Sequence, residues 1–186
     1  MGADIHTFIE YAYVRESDDE RPESWYSFGG RINPSRDYEM FALLANVRGI
    51  GALYPPRGVP DQLSWTTRDA FYMTVLHEPR LDFANNPLPA EEGEVSAETA
   101  AGWVARGYSR YEGTDPTTGR PLRITHPDWH SPSWLTLSEF DRVLAAHKRN
   151  TIGGRVHPGW LALRAALKAF DDAPGFKARL VFWFDN

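Results

Sequence analysis

At 186 residues, with 42% hydrophobic and 13% aromatic side chains, the chain is long enough to bury a core and too apolar to remain disordered. Its formal net charge of −5 argues against a general phosphate-tracking surface for duplex nucleic acid and leaves room only for a local arginine cluster. With no cysteine, disulfides, thiolate zinc sites and cysteine nucleophiles are excluded, so any metal must sit on His, Asp, Glu or water.

Residues 3–14 run through β-branched and aromatic types without Gly or Pro, which predicts a long strand. The polar stretch 15–23 predicts a turn, and the aromatic segment 25–28 the second arm of a hairpin. After Gly29, Gly30 and Pro34, the residues Tyr38, Phe41, Leu44 and Val47 recur at helical spacing; Asp37 is placed to cap this helix and Gly49 to end it. Recurrent Gly and Pro make 49–60 a loop.

Further along, helices are expected over 67–76 and 97–106, separated by a surface excursion at 79–94. A tight turn at 114–119 joins two short strands. Thr136 and Glu139 form a capping box for a helix from Leu137 to about His147, and Pro158 opens a last helix ending at 171–175. The tail 178–184 is apolar on both alternating sets, the pattern of a covered central strand. These elements predict an α+β fold: a mostly antiparallel sheet with its N- and C-terminal strands adjacent and helices packed on one face. They point to one globular domain, 1–186, with a variable middle region at about 63–125. No run reaches the ~20 apolar residues that cross a bilayer, and the start lacks the basic-then-apolar order of a secretory signal. His6 also stands where the myristoylation pattern needs Ser or Thr, so a cytoplasmic protein without membrane contact is expected.

Five segments carry a resemblance: Met1-Gly2-Ala3-Asp4-Ile5-His6; Arg36-Asp37-Tyr38 continuing through Phe41 to Arg48; Pro55-Pro56-Arg57-Gly58-Val59-Pro60; His130 to Leu137; and Leu180-Val181-Phe182-Trp183-Phe184-Asp185-Asn186. The chain resembles an uncharacterised family of tailed-phage and bacterial proteins that usually open with Met-Gly-Cys-Asp-Ile-His and carry His-x-x-Ser-Trp-Leu-Thr-Leu. The resemblance implies a phage setting and a bacterial host cell; it implies no reaction and no ligand. Ala3 replaces the family's usual cysteine, so a thiol is not essential to what this chain does.

Residue chemistry supplies the candidates. On a strand, Asp4, His6, Phe8 and Glu10 share a face, so Asp4 and His6 can chelate a metal or form a carboxylate-oriented base. The ordinary alternative is a structural polar pair at the sheet edge. His126, Asp128 and His130 form a second alternating set, and His130 precedes a helix start whose amides favour anions, while Pro127 and Pro132 argue against a regular strand there. Arg36, Arg48 and Arg57 occupy capped or rigid positions suited to phosphate or carboxylate, or to surface ion pairs. Trp25, Trp65, Trp129 and Trp134 offer stacking faces or core packing, and Asp185 either joins a polar group at the sheet end or solvates the terminus.

Three readings follow. The first is binding of a small anionic ligand, a nucleotide or nucleotide signal, by Asp4, His6, Arg36, Arg57, His130 and Trp134, as in a phage sequestering protein. The second is a metal-dependent, phosphoesterase-like hydrolase with Asp4, His6 and His130 as ligands of a divalent ion and Glu10 or Asp128 activating water. The third is an inhibitor or adaptor that binds a host protein. Enzyme or binder, and monomer or homo-oligomer, are left open.

Overall fold

The structure is a computed structural model that describes residues 2–14, 22 and 24–186. Nearly all of the expected polar turn at 15–23 lies outside the described residues. Those described form, in chain order, β1 (Asp4–Tyr13), β2 (Tyr26–Ser27), α1 (Tyr38–Ala45), α2 (Trp65–Phe71), β3 (Tyr72–Leu76), β4 (Glu94–Ser96), α3 (Ala97–Ala105), β5 (Tyr111–Thr114), β6 (Pro121–Thr125), β7 (His130–Leu135), α4 (Leu137–Asn150), α5 (Pro158–Asp171) and β8 (Phe176–Asp185). Among them no helix is long and apolar enough to cross a membrane.

By its internal contacts the chain divides into two compact units: residues 1–67 with 129–186, and residues 68–128. The first unit holds an antiparallel sheet of order β2-β1-β8-β7. The strands β1 and β8 pair along ten residues, from Asp4 opposite Asp185 to Tyr13 opposite Phe176, so the first and last strands are adjacent as expected. Period-two alternation sends Ile5, Ile9, Leu180, Phe182 and Phe184 to one face. There they pack with Phe41 and Leu44 of α1, Phe140 and Leu144 of α4, and Trp160, Leu163 and Leu167 of α5. The fold class is α+β, with these helices on one face.

Local chemistry explains most helix ends. Asp37 caps α1 by accepting from the Met40 amide at 3.0 Å. The helix stops at Asn46 rather than Gly49: Asn46 takes the left-handed conformation (φ 57°) and accepts from the amides of Gly51 and Ala52. Gly49 is needed for space, because a Cβ there would lie 2.8 Å from that of Ala42. The Thr136–Glu139 capping box is formed, and α4 runs three residues past the expected end at His147. In α5, Pro158 is at the first turn, and Gly159 lies so close to Pro34 that a Cβ would stand 2.5 Å from its carbonyl oxygen.

Two elements depart from expectation. The helix foreseen over 67–76 is α2 for its first part and the strand β3 for the rest, because Tyr72, Met73, Thr74 and Val75 find strand partners in β4 and β6. Pro132 does not prevent a strand either: β7 is an edge strand, and a bulge between His130 and Ser133 absorbs the missing amide.

The unit 68–128 has its own sheet, β4-β3-β6-β5, with β3 and β4 parallel and the other pairs antiparallel. Its small core is Val75, Val95, Ala100 and Ile124, with Trp103 and Val104 packed against it. The turn expected at 114–119 is present, held by Asp115 accepting from the Thr117 and Thr118 amides.

Asp37 also couples two helices, since its second oxygen is 2.8 Å from Nε2 of His147, which is buried. Asp37→Ala is expected to cost about 2–3 kcal/mol in urea unfolding, the sum of a lost N-cap and a stranded buried imidazole. Asp37→Asn keeps a side-chain oxygen for the cap and should cost less than half of that.

Candidate functional site

The register of β1 against β8 builds a polar group at one end of the first sheet. His6 lies opposite Trp183, and Asp4 opposite Asp185. The His6 ring stacks on Trp183 (5.2 Å, 10° between planes), is tilted against Trp129 at 5.3 Å, and places Nε2 2.8 Å from Asp185 Oδ2. A carboxylate-oriented imidazole is therefore present, but its carboxylate comes from Asp185 and not from Asp4. The Asp4 carboxylate instead accepts from Nε and a terminal nitrogen of Arg36 at 2.5 and 2.6 Å. That hydrogen bonding holds the Asp4 carboxyl below the usual range and raises the Arg36 pKa.

Burial dominates at His6 and lowers its pKa from the ordinary 6.5, with the Asp185 hydrogen bond pulling the other way. A group with a depressed folded-state pKa binds more protons in the unfolded chain, so stability falls as pH drops from 6.5 through the folded value. Urea midpoints taken between about pH 7.5 and about pH 5 should therefore decline more in the wild type than in His6→Gln. Asp4 stays ionised over that window and does not add to the difference. Equal declines would show that His6 is not the titrating group.

The remaining expected site residues lie elsewhere. His130 pairs with Phe184, one residue beyond Trp183, and stacks on it at 6.0 Å. Alternation along β8 then puts His6 and His130 on opposite faces of the sheet. Its Nδ1 is 3.1 Å from the Ser131 hydroxyl, and its Nε2 is buried with no hydrogen-bond partner among the described residues. Arg57 lies over the rings of Trp134 (4.8 Å) and Tyr54 (5.4 Å) and makes a two-pronged ion pair with Glu139. Glu139 also accepts from the Thr136 amide, so the helix start expected to favour anions is closed by its own capping box.

The six residues thus fall into three places: Asp4, His6 and Arg36; Arg57 and Trp134; and His130. Among the described residues no group of three His, Asp or Glu is arranged to hold a metal ion. The proposed ligand set Asp4, His6 and His130 is divided by the sheet. Of the two candidate water activators, Asp128 is exposed with a carboxylate oxygen 3.9 Å from Nδ1 of His126, and Glu10 is fully buried in an ion pair.

That ion pair underlies a different site. Glu10 accepts from Arg179 at 2.7 and 2.8 Å, and from the Ser64 amide at 2.8 Å. Arg179 also donates to the Gln62 carbonyl at 3.0 Å and lies 3.7 Å from the ring centre of Trp25. Burial lowers the Arg179 pKa, with Glu10 opposing. Beside the pair is a cavity of about 520 Å³ lined by Tyr11, Trp25, Tyr26, Gln62, Ser64 and Trp65, together with smaller neutral residues. Its lining among the described residues carries no charged side chain.

No family model, curated protein or solved structure matches this chain. The residues of the cavity therefore have to speak for themselves. Trp25 and Trp65 were recognisable in the sequence as stacking candidates, whereas Tyr11, Gln62 and Ser64 were not. The available signal was a charge set between apolar neighbours in each strand, Glu10 between Ile9 and Tyr11 in β1 and Arg179 between Ala178 and Leu180 in β8, since charges are buried only when paired.

Proposed function

We propose that the protein binds a small ligand of the nucleotide class and takes its ring into the cavity between Trp25 and the Gln62–Ser64 segment. The observation that supports this is the cavity itself: about 520 Å³ is within the size range of small-molecule sites, and aromatic faces with a few neutral polar groups suit a planar ring. The arginines first considered for the anionic part, Arg36 and Arg57, are each engaged by a carboxylate, so an anion would have to displace Asp4 or Glu139. The ring is accordingly the part of the ligand that this reading places in the protein. Given the resemblance to tailed-phage proteins, sequestration of a nucleotide signal in the host cell is the role that accompanies it.

A thermal-shift panel of nucleosides, nucleotides and cyclic dinucleotides tests the reading. A ligand at 100 times its Kd adds about 2.7 kcal/mol, enough to raise the melting temperature by several degrees. Trp25→Ala should abolish that rise. Flat responses across the panel would remove the proposal.

A further inference from the structure

We infer that Gln62 reads the edge of the bound ring, and that the edge it reads sets one hydrogen-bond donor beside one acceptor, as nucleobases do, with no requirement for phosphate. This rests on the cavity being the ligand site. Gln62 has φ +57°, a left-handed conformation that a residue with a Cβ rarely adopts and that glycine would occupy without strain. The conformation is imposed from below: Arg179 takes the Gln62 carbonyl at 3.0 Å, and Glu10 takes the Ser64 amide at 2.8 Å. The same guanidinium lies against Trp25, so one buried ion pair fixes both walls of the cavity.

The wall that results is selective in its chemistry. Two of its hydroxyls are already engaged, Ser64 with Thr67 at 2.8 Å and Ser27 with the Gly29 carbonyl at 2.7 Å. The Gln62 side chain is exposed at the cavity, and its amide has no hydrogen-bond partner among the described residues. A primary amide offers a donor and an acceptor side by side, the complement of a mixed ring edge. Arg179, the cation beneath Trp25, is matched by Glu10 and buried, which leaves nothing among the described residues of the lining to favour a phosphate.

The test is a tryptophan-fluorescence titration of the full chain with adenosine, guanosine, cytidine and uridine and their 5′-monophosphates, using the wild type, Gln62→Glu and Gln62→Gly. A carboxylate accepts only, so Gln62→Glu should shift preference toward guanosine, which presents two adjacent donors, by about tenfold or more relative to adenosine. Gln62→Gly should weaken every nucleoside by about tenfold without lowering the melting temperature, because glycine relieves the left-handed backbone. Monophosphates should bind within about threefold of their nucleosides. If nucleosides bind but neither substitution changes affinity or preference, Gln62 is not the reader and the cavity reading stands alone. A phosphate gain of about tenfold or more overturns the charge-free part of the inference. If no nucleoside perturbs the fluorescence of the wild type, the cavity reading fails and this inference falls with it.

Discussion

Arg179→Ala is expected to destabilise the protein by about 3–5 kcal/mol, read as a lowered urea midpoint at unchanged m-value. Glu10 is 0% exposed, and without Arg179 it would be a carboxylate with a single backbone amide to hold it. The magnitude comes from that stranded charge and not from the worth of the pair, whose attraction is largely spent on desolvating both groups. The double replacement Glu10→Leu with Arg179→Met should therefore recover most of the loss. If it were as unstable as the single variant, the packing of Trp25 and the Gln62 turn around the guanidinium would have to be the dominant contribution.

Trp160→Ala is expected to cost about 3–5 kcal/mol by the same measurement. Trp160 is fully buried, meets Phe41 of α1 edge-on at 6.5 Å and Phe140 of α4 at 6.3 Å, and so joins three helices over the sheet. Trp160→Phe should cost much less than alanine. It keeps an aromatic ring in place, and it removes an indole N–H that is buried without a hydrogen-bond partner among the described residues. A Phe variant as unstable as the Ala variant would mean that the full indole volume, and not the ring contact, holds the helices together.

Much of the architecture was legible along the chain. The alternating and covered apolar patterns of β1 and β8, the capping residues Asp37 and Thr136, and Pro158 at the start of α5 act within one or two turns of their own position. Less legible were α2 and β3, where Thr67–Leu76 has enough helical spacing to mislead and β pairing with distant strands prevails over it. The separate unit at 68–128 was foreseen only as a region of variable character, since no composition shift marks its limits.

The candidate site was legible in its ingredients and not in its grouping. Asp4 and His6 share a face of β1 as period-two alternation requires, yet the partner of His6 is Asp185 and that of Asp4 is Arg36. Spacing cannot choose among partners 32 and 179 residues away, because that choice follows from strand register and loop path. His130 shows the same point most plainly: one step of register along β8 carries its ring to the opposite face from His6.

The amino-acid order by itself determined most of the strands and helices, because hydrophobic period and capping chemistry are local properties; β3 and β7 needed their distant strand partners. Only the tertiary structure decided which charges meet. Glu10 and Arg179 are 169 residues apart, and their burial together, which shapes the cavity beside Trp25 and Gln62, exists only once β1 and β8 are paired in register.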